Sequence, residues 1–217
     1  MKEALNELLS ELAAAYALSD NKLFCERHGY PWCYELIQTK LIPNKPLLIG
    51  FNWGVDDSWE YEHQNEIYPQ SFVDIYKASF ERLIPCIGRY FGDVDLENGS
   101  HSNICFFRSK KKAQITKKDI SLCFPIFDKL IKVLEPSIIF SFSTTARDHL
   151  KNMTKNYMEK IIEPDNNGNY FQVAKGSIND VPVYFLPHPN CRLQTGVRVK
   201  AWEFCSTINC LTNGVAD

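Results

Sequence analysis

Residues 130–150 read LIKVLEPSIIFSFSTTARDHL, and this stretch decides the fold. Its first part carries apolar side chains at helical spacing and ends at Glu135-Pro136, where a helix cannot continue. Residues 137–142 then read as a buried strand. Ser143 or Thr144 can cap the helix that follows. The stretch therefore predicts a helix, a buried strand and a second helix in succession.

The same alternation extends along the chain. Strands that alternate with helices predict an α/β protein. We expect a single domain over residues 1–217, a three-layer α/β/α sandwich with a central, mostly parallel sheet of about four strands. The core is predicted over residues 46–211, and residues 1–45 are predicted to be a helical N-terminal extension. Its first 17 residues read as an amphipathic helix, and residues 20–45 read as irregular. Further strands are predicted at 46–51, 102–107, 170–174 and 181–186, and further helices at 71–91, 116–134 and 196–211.

Composition restricts the class of protein. No apolar stretch approaches the ~20 residues that a membrane-spanning helix needs, so we expect no membrane association. The net charge of −2 argues against a protein that coats nucleic acid without specificity. A lysine run at 110–112, 117 and 118 reads either as a local basic groove or as a solvated loop. The eight cysteines include no Cys-x-x-Cys pair, so we expect no metal site and a reducing, cytoplasmic location.

Two of the predicted strands end in polar side chains. The apolar run 47–51 is followed by Asn52, and the run 184–186 is followed by Pro187 and His188. Ligand sites of open α/β sheets lie at the carboxyl ends of the strands. We therefore expect Asn52 and His188 to contribute to one shared site.

Four motifs occur in a recognisable order. They are Gly50-Phe51-Asn52-Trp53-Gly54, Asn103-Ile104-Cys105, residues 130–150 and His188-Pro189-Asn190-Cys191-Arg192. In this order the chain resembles the uracil-DNA glycosylase superfamily over about residues 46–211, most nearly its single-strand-selective monofunctional branch. That branch carries Gly-Met-Asn-Pro-Gly, Asn-Leu-Cys and His-Pro-Ser-Pro-Arg at the corresponding places.

The resemblance implies a DNA base-excision repair glycosylase. Such a hydrolase cleaves the N-glycosidic bond of uracil, or of a related damaged pyrimidine, flipped out of single- or double-stranded DNA. By this resemblance Asn52 positions the attacking water, and His188 stabilises the leaving base. Asn103 reads the base, and Gly50 and Trp53 lie beside it. No cofactor or metal is implied, and we expect a monomer.

The resemblance also implies further contacts with base and DNA. Trp59 is the expected stacking aromatic, with Tyr61 and Tyr68 as alternatives in the same segment. Arg192 stands where the family has the side chain that wedges into the base stack. Three more residues are expected to contact DNA, namely Asn190, Arg198 and Arg108. His101 is a second histidine, near Asn103 in the sequence, that we expect on a surface loop.

A different function stays open at this point. Asn52 also reads as a turn former, Asn103 as a capping residue at a strand start, and His188 as a structural histidine. Trp53 replaces a proline of the family motif, and Asn190 replaces a serine. These departures favour, as the alternative, a catalytically inactive module with the glycosylase fold that binds DNA or a nucleotide.

Overall fold

The computed structural model describes residues 2–55, 84, 87–162, 171–187 and 195–206 of the chain. Its described strands form one six-stranded sheet in the order β2-β1-β3-β6-β5-β4. The strands are β1 (Leu47–Gly54), β2 (Ser100–Ser109), β3 (Ile139–Ser141), β4 (Lys155–Ile162), β5 (Phe171–Ile178) and β6 (Val181–Phe185). The described helices are α1 (Lys2–Ala17), α2 (Asp20–His28), α3 (Lys117–Leu134), α4 (Thr144–Leu150) and α5 (Thr195–Ser206), and residues 87–91 are also helical.

The α/β class is confirmed, but the sheet is larger and more mixed than expected. β2, β1, β3 and β6 run parallel to one another, whereas β5 and β4 are antiparallel to their neighbours. The prediction of about four strands is therefore wrong. β5 and β6 are joined by Asn179 (φ 50°) and Asp180 (φ 65°), two residues in the left-handed region. That conformation is typical of a two-residue hairpin turn, which makes the connected strands antiparallel.

Helices cover both faces of the sheet. Leu47, Ile49 and Phe51 of β1 belong to a core shared with α1 and α3, whereas Leu48 belongs to a second core shared with α5. Because successive residues of a strand point to opposite faces, these two cores lie on opposite sides of β1. α3 begins with a capping box: Thr116 Oγ1 accepts from Asp119 N, and Asp119 Oδ2 accepts from Thr116 N.

The N-terminal segment is part of the core. The amphipathic helix predicted over the first 17 residues is α1, and its Leu5, Leu8 and Leu12 are buried. Residues 20–45 are not irregular throughout, because α2 forms between a Ser19 N-cap and Gly29 at φ 66°. Residues 33–38 then run along the outer edge of β2. Their hydrogen bonds are Arg108 N to Cys33 O, Glu35 N to Phe106 O and Gln38 N to His101 O.

Candidate functional site

The amide of Asn103 lies buried over a glycine of the neighbouring strand. Asn103 pairs with Gly50 in the parallel register of β1 and β2, and only 2% of its surface is exposed. A Cβ atom at Gly50 would overlap Oδ1 of Asn103, so the close approach requires glycine. Nδ2 of Asn103 has no hydrogen-bond partner among the described residues. A buried amide without a partner destabilises a protein, and this is the kind of group that a ligand or a water satisfies.

Asn52 lies two residues further along β1, on the same face as Gly50. It is half-buried, and its Nδ2 donates to Trp53 O at 3.0 Å and to Ser109 Oγ at 2.8 Å. The Ser109 hydroxyl in turn donates to Lys111 O at 3.1 Å. These bonds fix the orientation of the Asn52 amide: the nitrogen is engaged by the protein, and Oδ1 is the end that can accept from a ligand or water.

An irregularity in strand pairing brings Ser109 to Asn52. Asn52 pairs with Cys105, but the next residue, Trp53, pairs with Arg108. Two residues of β2 are therefore accommodated opposite a single step of β1, as in a β-bulge. Ser109 was not identified from the sequence. Its only signal is a polar residue near the end of an apolar strand, and the register that gives it a role is not readable from composition.

The Trp53 side chain crosses β2. Its indole is 3% exposed, and Nε1 donates to the carbonyl of Glu35, on the far side of β2 from β1. The ring also meets His101 edge to face, with centroids 5.1 Å apart. His101 and Asn103 alternate on β2 and so share a face, which puts the Trp53 ring in the row that contains Asn103.

His101 is not on a surface loop, as expected, but in β2. Burial lowers the pKa of its imidazole to about 3, so the ring is neutral at physiological pH. A neutral ring keeps one nitrogen as a donor and one as an acceptor. The residue adds no positive charge beside Asn103.

Arg108 does not lie at a DNA-accessible surface. It belongs to β2 itself, is 2% exposed, and forms an ion pair with the buried carboxylate of Glu35. The expected contact with DNA is therefore wrong, because the guanidinium points into the protein and is neutralised there. β2 runs to Ser109, and Arg108 pairs with Trp53, so the residue expected just beyond the strand lies inside it.

The remaining predicted residues are placed only in part. His188, Asn190, Arg192 and Trp59 lie outside the described residues. Arg198 lies on α5 and is half-buried. β6, which leads towards His188, is parallel to β3 and ends at the same edge of the sheet as β1. The register aligns Ile49 with Ser141 and Ser141 with Phe185, and Leu186 N donates to Ser141 O at 2.8 Å.

The edge of the sheet beside Asn52 carries positive charge. Lys110, Lys111 and Lys112 are exposed directly after β2, and Lys112 Nζ lies 5.9 Å from the ring centroid of Phe51. Among the residues that the structure describes, no group of three or more His, Cys, Asp or Glu side chains could hold a metal ion. No described helix is both long and apolar enough to span a bilayer.

A scan against models of known protein families and a search of curated proteins each find no match for this chain. The candidate site must therefore be interpreted from its own geometry. That geometry comprises two amides on one face of adjacent parallel strands, a glycine between them, and lysines at the rim.

Proposed function

We propose that the protein is a DNA N-glycosylase that hydrolyses the bond between uracil, or a related damaged pyrimidine, and deoxyribose. The observation that carries this proposal is the buried amide of Asn103, whose Oδ1 lies over Gly50 and whose Nδ2 has no partner in the part of the chain that the structure describes. One amide can pair with a carbonyl and a ring N–H together, which are adjacent on the edge of uracil. We further propose that the enzyme works as a monomer in the cytoplasm, without a metal or cofactor.

Each residue of the proposed mechanism has a distinct role. The target base leaves the stack and enters the site, where Asn103 hydrogen-bonds its edge. Breaking the glycosidic bond places negative charge on the base, and His188 donates a hydrogen bond to that charge. Asn52 orients the water that attacks the sugar, through Oδ1. An amide cannot remove a proton from water, so the reaction rests on stabilisation of the leaving base, and the proton that the water loses is taken up by the released base anion.

The parallel register supports the convergence of Asn52 and His188. Ile49, Ser141 and Phe185 are aligned across β1, β3 and β6. Asn52 stands three residues after Ile49, and His188 stands three residues after Phe185. Strands are spaced about 4.8 Å apart, so Ile49 and Phe185 are about 10 Å apart across β3. The chain segments that carry Asn52 and His188 therefore follow the same level of the sheet, which supports a shared site.

The test is release of uracil from an oligonucleotide that contains one uracil, followed by alkaline cleavage of the abasic site. We expect cutting by the wild type, with a loss of about 100-fold or more in Asn52→Ala and His188→Ala. Asn152→Ala is the matched control, because Asn152 is an exposed asparagine that belongs to neither β1 nor β2. Wild-type cutting that persists unchanged in both site variants would contradict the proposal.

A second candidate function is supported by Trp53. Its buried ring lies in the row of Asn103, where it can occupy the place of a base as well as form a wall for one. The protein would then bind DNA or a nucleotide without cutting it. Retention of DNA by the wild type with no base release, combined with base release in Trp53→Ala, would favour this binding module.

A further inference from the structure

The chain before Cys33 passes the carboxyl end of β2. Arg108 N donates to Cys33 O at 2.9 Å, and Tyr34 and Phe107 form an antiparallel bridge. In this antiparallel pairing Tyr34 lies opposite Phe107 and Cys33 opposite Arg108, so the next residue, Trp32, lies at the level of Ser109. Neighbouring strands lie about 4.8 Å apart, and Ser109 binds Asn52 directly. Trp32 therefore lies on the order of 10 Å from the candidate site.

Four aromatic rings extend outward from this point, and we call them the aromatic ladder. Trp32 is buried, and its carbonyl accepts from the Tyr16 hydroxyl at 2.8 Å. The Tyr30 ring stacks on Trp32 with centroids 4.1 Å apart and planes 5° apart. His28 lies parallel to Tyr30 at 5.8 Å, and Phe24 lies 4.3 Å from His28. Trp32 is buried, Tyr30 and Phe24 are half-buried, and His28 is exposed.

A cleft opens beside the ladder. Its volume is about 410 Å³, and Tyr16, Tyr30 and Trp32 form its aromatic walls. Small-molecule sites have volumes of roughly 300–1,000 Å³, so the cleft can take one planar ring with its sugar. Lys22 and Glu26 also line the cleft and form an ion pair, with 3.4 Å between Lys22 Nζ and Glu26 Oε1.

Exposed cations follow the end of β2 and occur on α2. Lys110, Lys111 and Lys112 are exposed after β2, and Arg27 is exposed on α2 beside the ladder. The acidic side chains of α2 are matched by lysines. Asp20 pairs with Lys118 at 3.0 Å, in addition to the Lys22 pair of the cleft. The surface is therefore suited to a polyanion that also carries flat rings.

We propose that the aromatic ladder and its cleft bind the unpaired bases of single-stranded DNA next to the target nucleotide. Bases stack on aromatic side chains irrespective of sequence, and lysines along the groove contact the phosphates. Base-paired DNA hides the faces of its bases, so the ladder selects single strands. That the bound single-stranded DNA is a substrate rests on the proposed function, whereas its binding to the ladder does not.

The experiment measures anisotropy of a labelled, uracil-free DNA strand of about 12 nucleotides. Tyr30→Ala should weaken binding about tenfold, whereas Tyr30→Phe keeps the stacking ring and should bind like the wild type. His28→Ala removes an exposed ring and should weaken binding without unfolding the protein. Tyr157→Ala is the control, because Tyr157 is half-buried on β4 at the other edge of the sheet, with Lys151 Nζ 5.0 Å from its ring.

The outcomes separate this proposal from the glycosylase proposal. If both hold, Tyr30→Ala raises KM for a long single-stranded substrate and leaves kcat unchanged. If no substrate loses uracil but strand binding still depends on Tyr30, the ladder stands and the glycosylase proposal fails. If Tyr30→Ala and His28→Ala bind the strand as tightly as Tyr157→Ala, the ladder proposal is overturned. It is also overturned if duplex DNA, or RNA alone, shows the dependence on Tyr30 in place of single-stranded DNA.

Discussion

Nδ2 of Asn52 donates a 2.8 Å hydrogen bond to Oγ of Ser109, and this bond joins the ends of two parallel strands. The hydroxyl that accepts it is itself held, because it donates to Lys111 O. The amide of Asn52 is thereby kept in one of its two orientations. Ser109 is a positioning residue in the proposed reaction, because it acts on the water only through Asn52.

Ser109→Ala should lower kcat for uracil release about tenfold, because the Asn52 amide can then rotate away from the attacking water. KM should not change, and Ser109→Thr should restore the rate because it keeps the hydroxyl. Single-turnover kinetics on the uracil oligonucleotide measure this. Ser121→Ala, on the exposed surface of α3, is the matched control. Equal rates for the alanine variants at both positions would contradict the role of Ser109.

Two buried asparagines should respond in opposite ways to replacement by leucine. Asn21 is fully buried, and its Nδ2 donates to Arg108 O at 3.0 Å, so Asn21→Leu should lower the free energy of unfolding by ~1–3 kcal/mol. Nδ2 of Asn103 has no described partner, so Asn103→Leu should raise the free energy of unfolding or leave it unchanged. Urea denaturation measures both. A similar loss in both variants would show that the Asn103 amide is structural.

The close approach of Gly50 to Asn103 predicts a difference between two glycines of β1. Gly50→Ala places a Cβ on the Asn103 amide, which must move, so the free energy of unfolding should fall by ~1–3 kcal/mol. Gly54→Ala meets no atom within 4 Å and should change stability little. Thermal unfolding of the two variants compares them. Equal melting temperatures would mean that Asn103 adjusts freely and is not preorganised.

The buried ion pair of Arg108 and Glu35 should matter for folding and not for DNA. Arg108→Ala leaves the Glu35 carboxylate buried without its partner and should cost ~3–5 kcal/mol of stability. Lys45→Ala, which removes the exposed pair of Lys45 with Asp95, should cost under about 1 kcal/mol. The salt dependence of DNA binding should be unaltered in Arg108→Met if that variant folds. A weaker dependence of DNA affinity on salt concentration in this variant would indicate that Arg108 does contact phosphates.

The depressed pKa of His101 predicts how stability depends on pH. The unfolded chain binds a proton at this ring near pH 6.5, whereas the folded ring binds it only near pH 3. Between these values the unfolded state holds more protons, so the free energy of unfolding falls as the pH drops. His101→Gln should make that fall shallower between pH 7 and pH 5, as urea denaturation can show. His149, whose pKa burial also lowers, contributes part of the remaining slope.

Local signals in the sequence predicted much of the fold. α1, α3 and the parallel strands follow from hydrophobic periodicity, and the Thr116 capping box marks the start of α3. β4 was missed because it is an edge strand. Most of its residues are exposed, including Met158 and Ile161, so no alternating pattern appears. Asn179 and Asp180 are residue types that tolerate the left-handed conformation of a hairpin turn. This turn makes β5 and β6 antiparallel, whereas a mostly parallel sheet was expected.

The sequence predicted which strand ends contribute to the site, but not how the side chains there contact one another. The structure places Asn52 and Asn103 on adjacent parallel strands, and the sequence could give neither this adjacency nor their contacts. Arg108 was misplaced because its partner, Glu35, is 73 residues away in the chain. Such a long-range pair leaves no local pattern. The same holds for Ser109, whose contact with Asn52 depends on a shift in strand register.

The two residues of β2 accommodated opposite the step from Asn52 to Trp53 act as a spacer. Asn103 and Ser109 lie on either side of it, so strand length sets the separation between the Asn103 amide and the hydroxyl that orients Asn52. Loss of a single residue there would turn Ser109 to the opposite face of the sheet. Chain length along this stretch is therefore constrained as tightly as side-chain identity, and a deletion would disable the proposed reaction without removing any of its chemical groups.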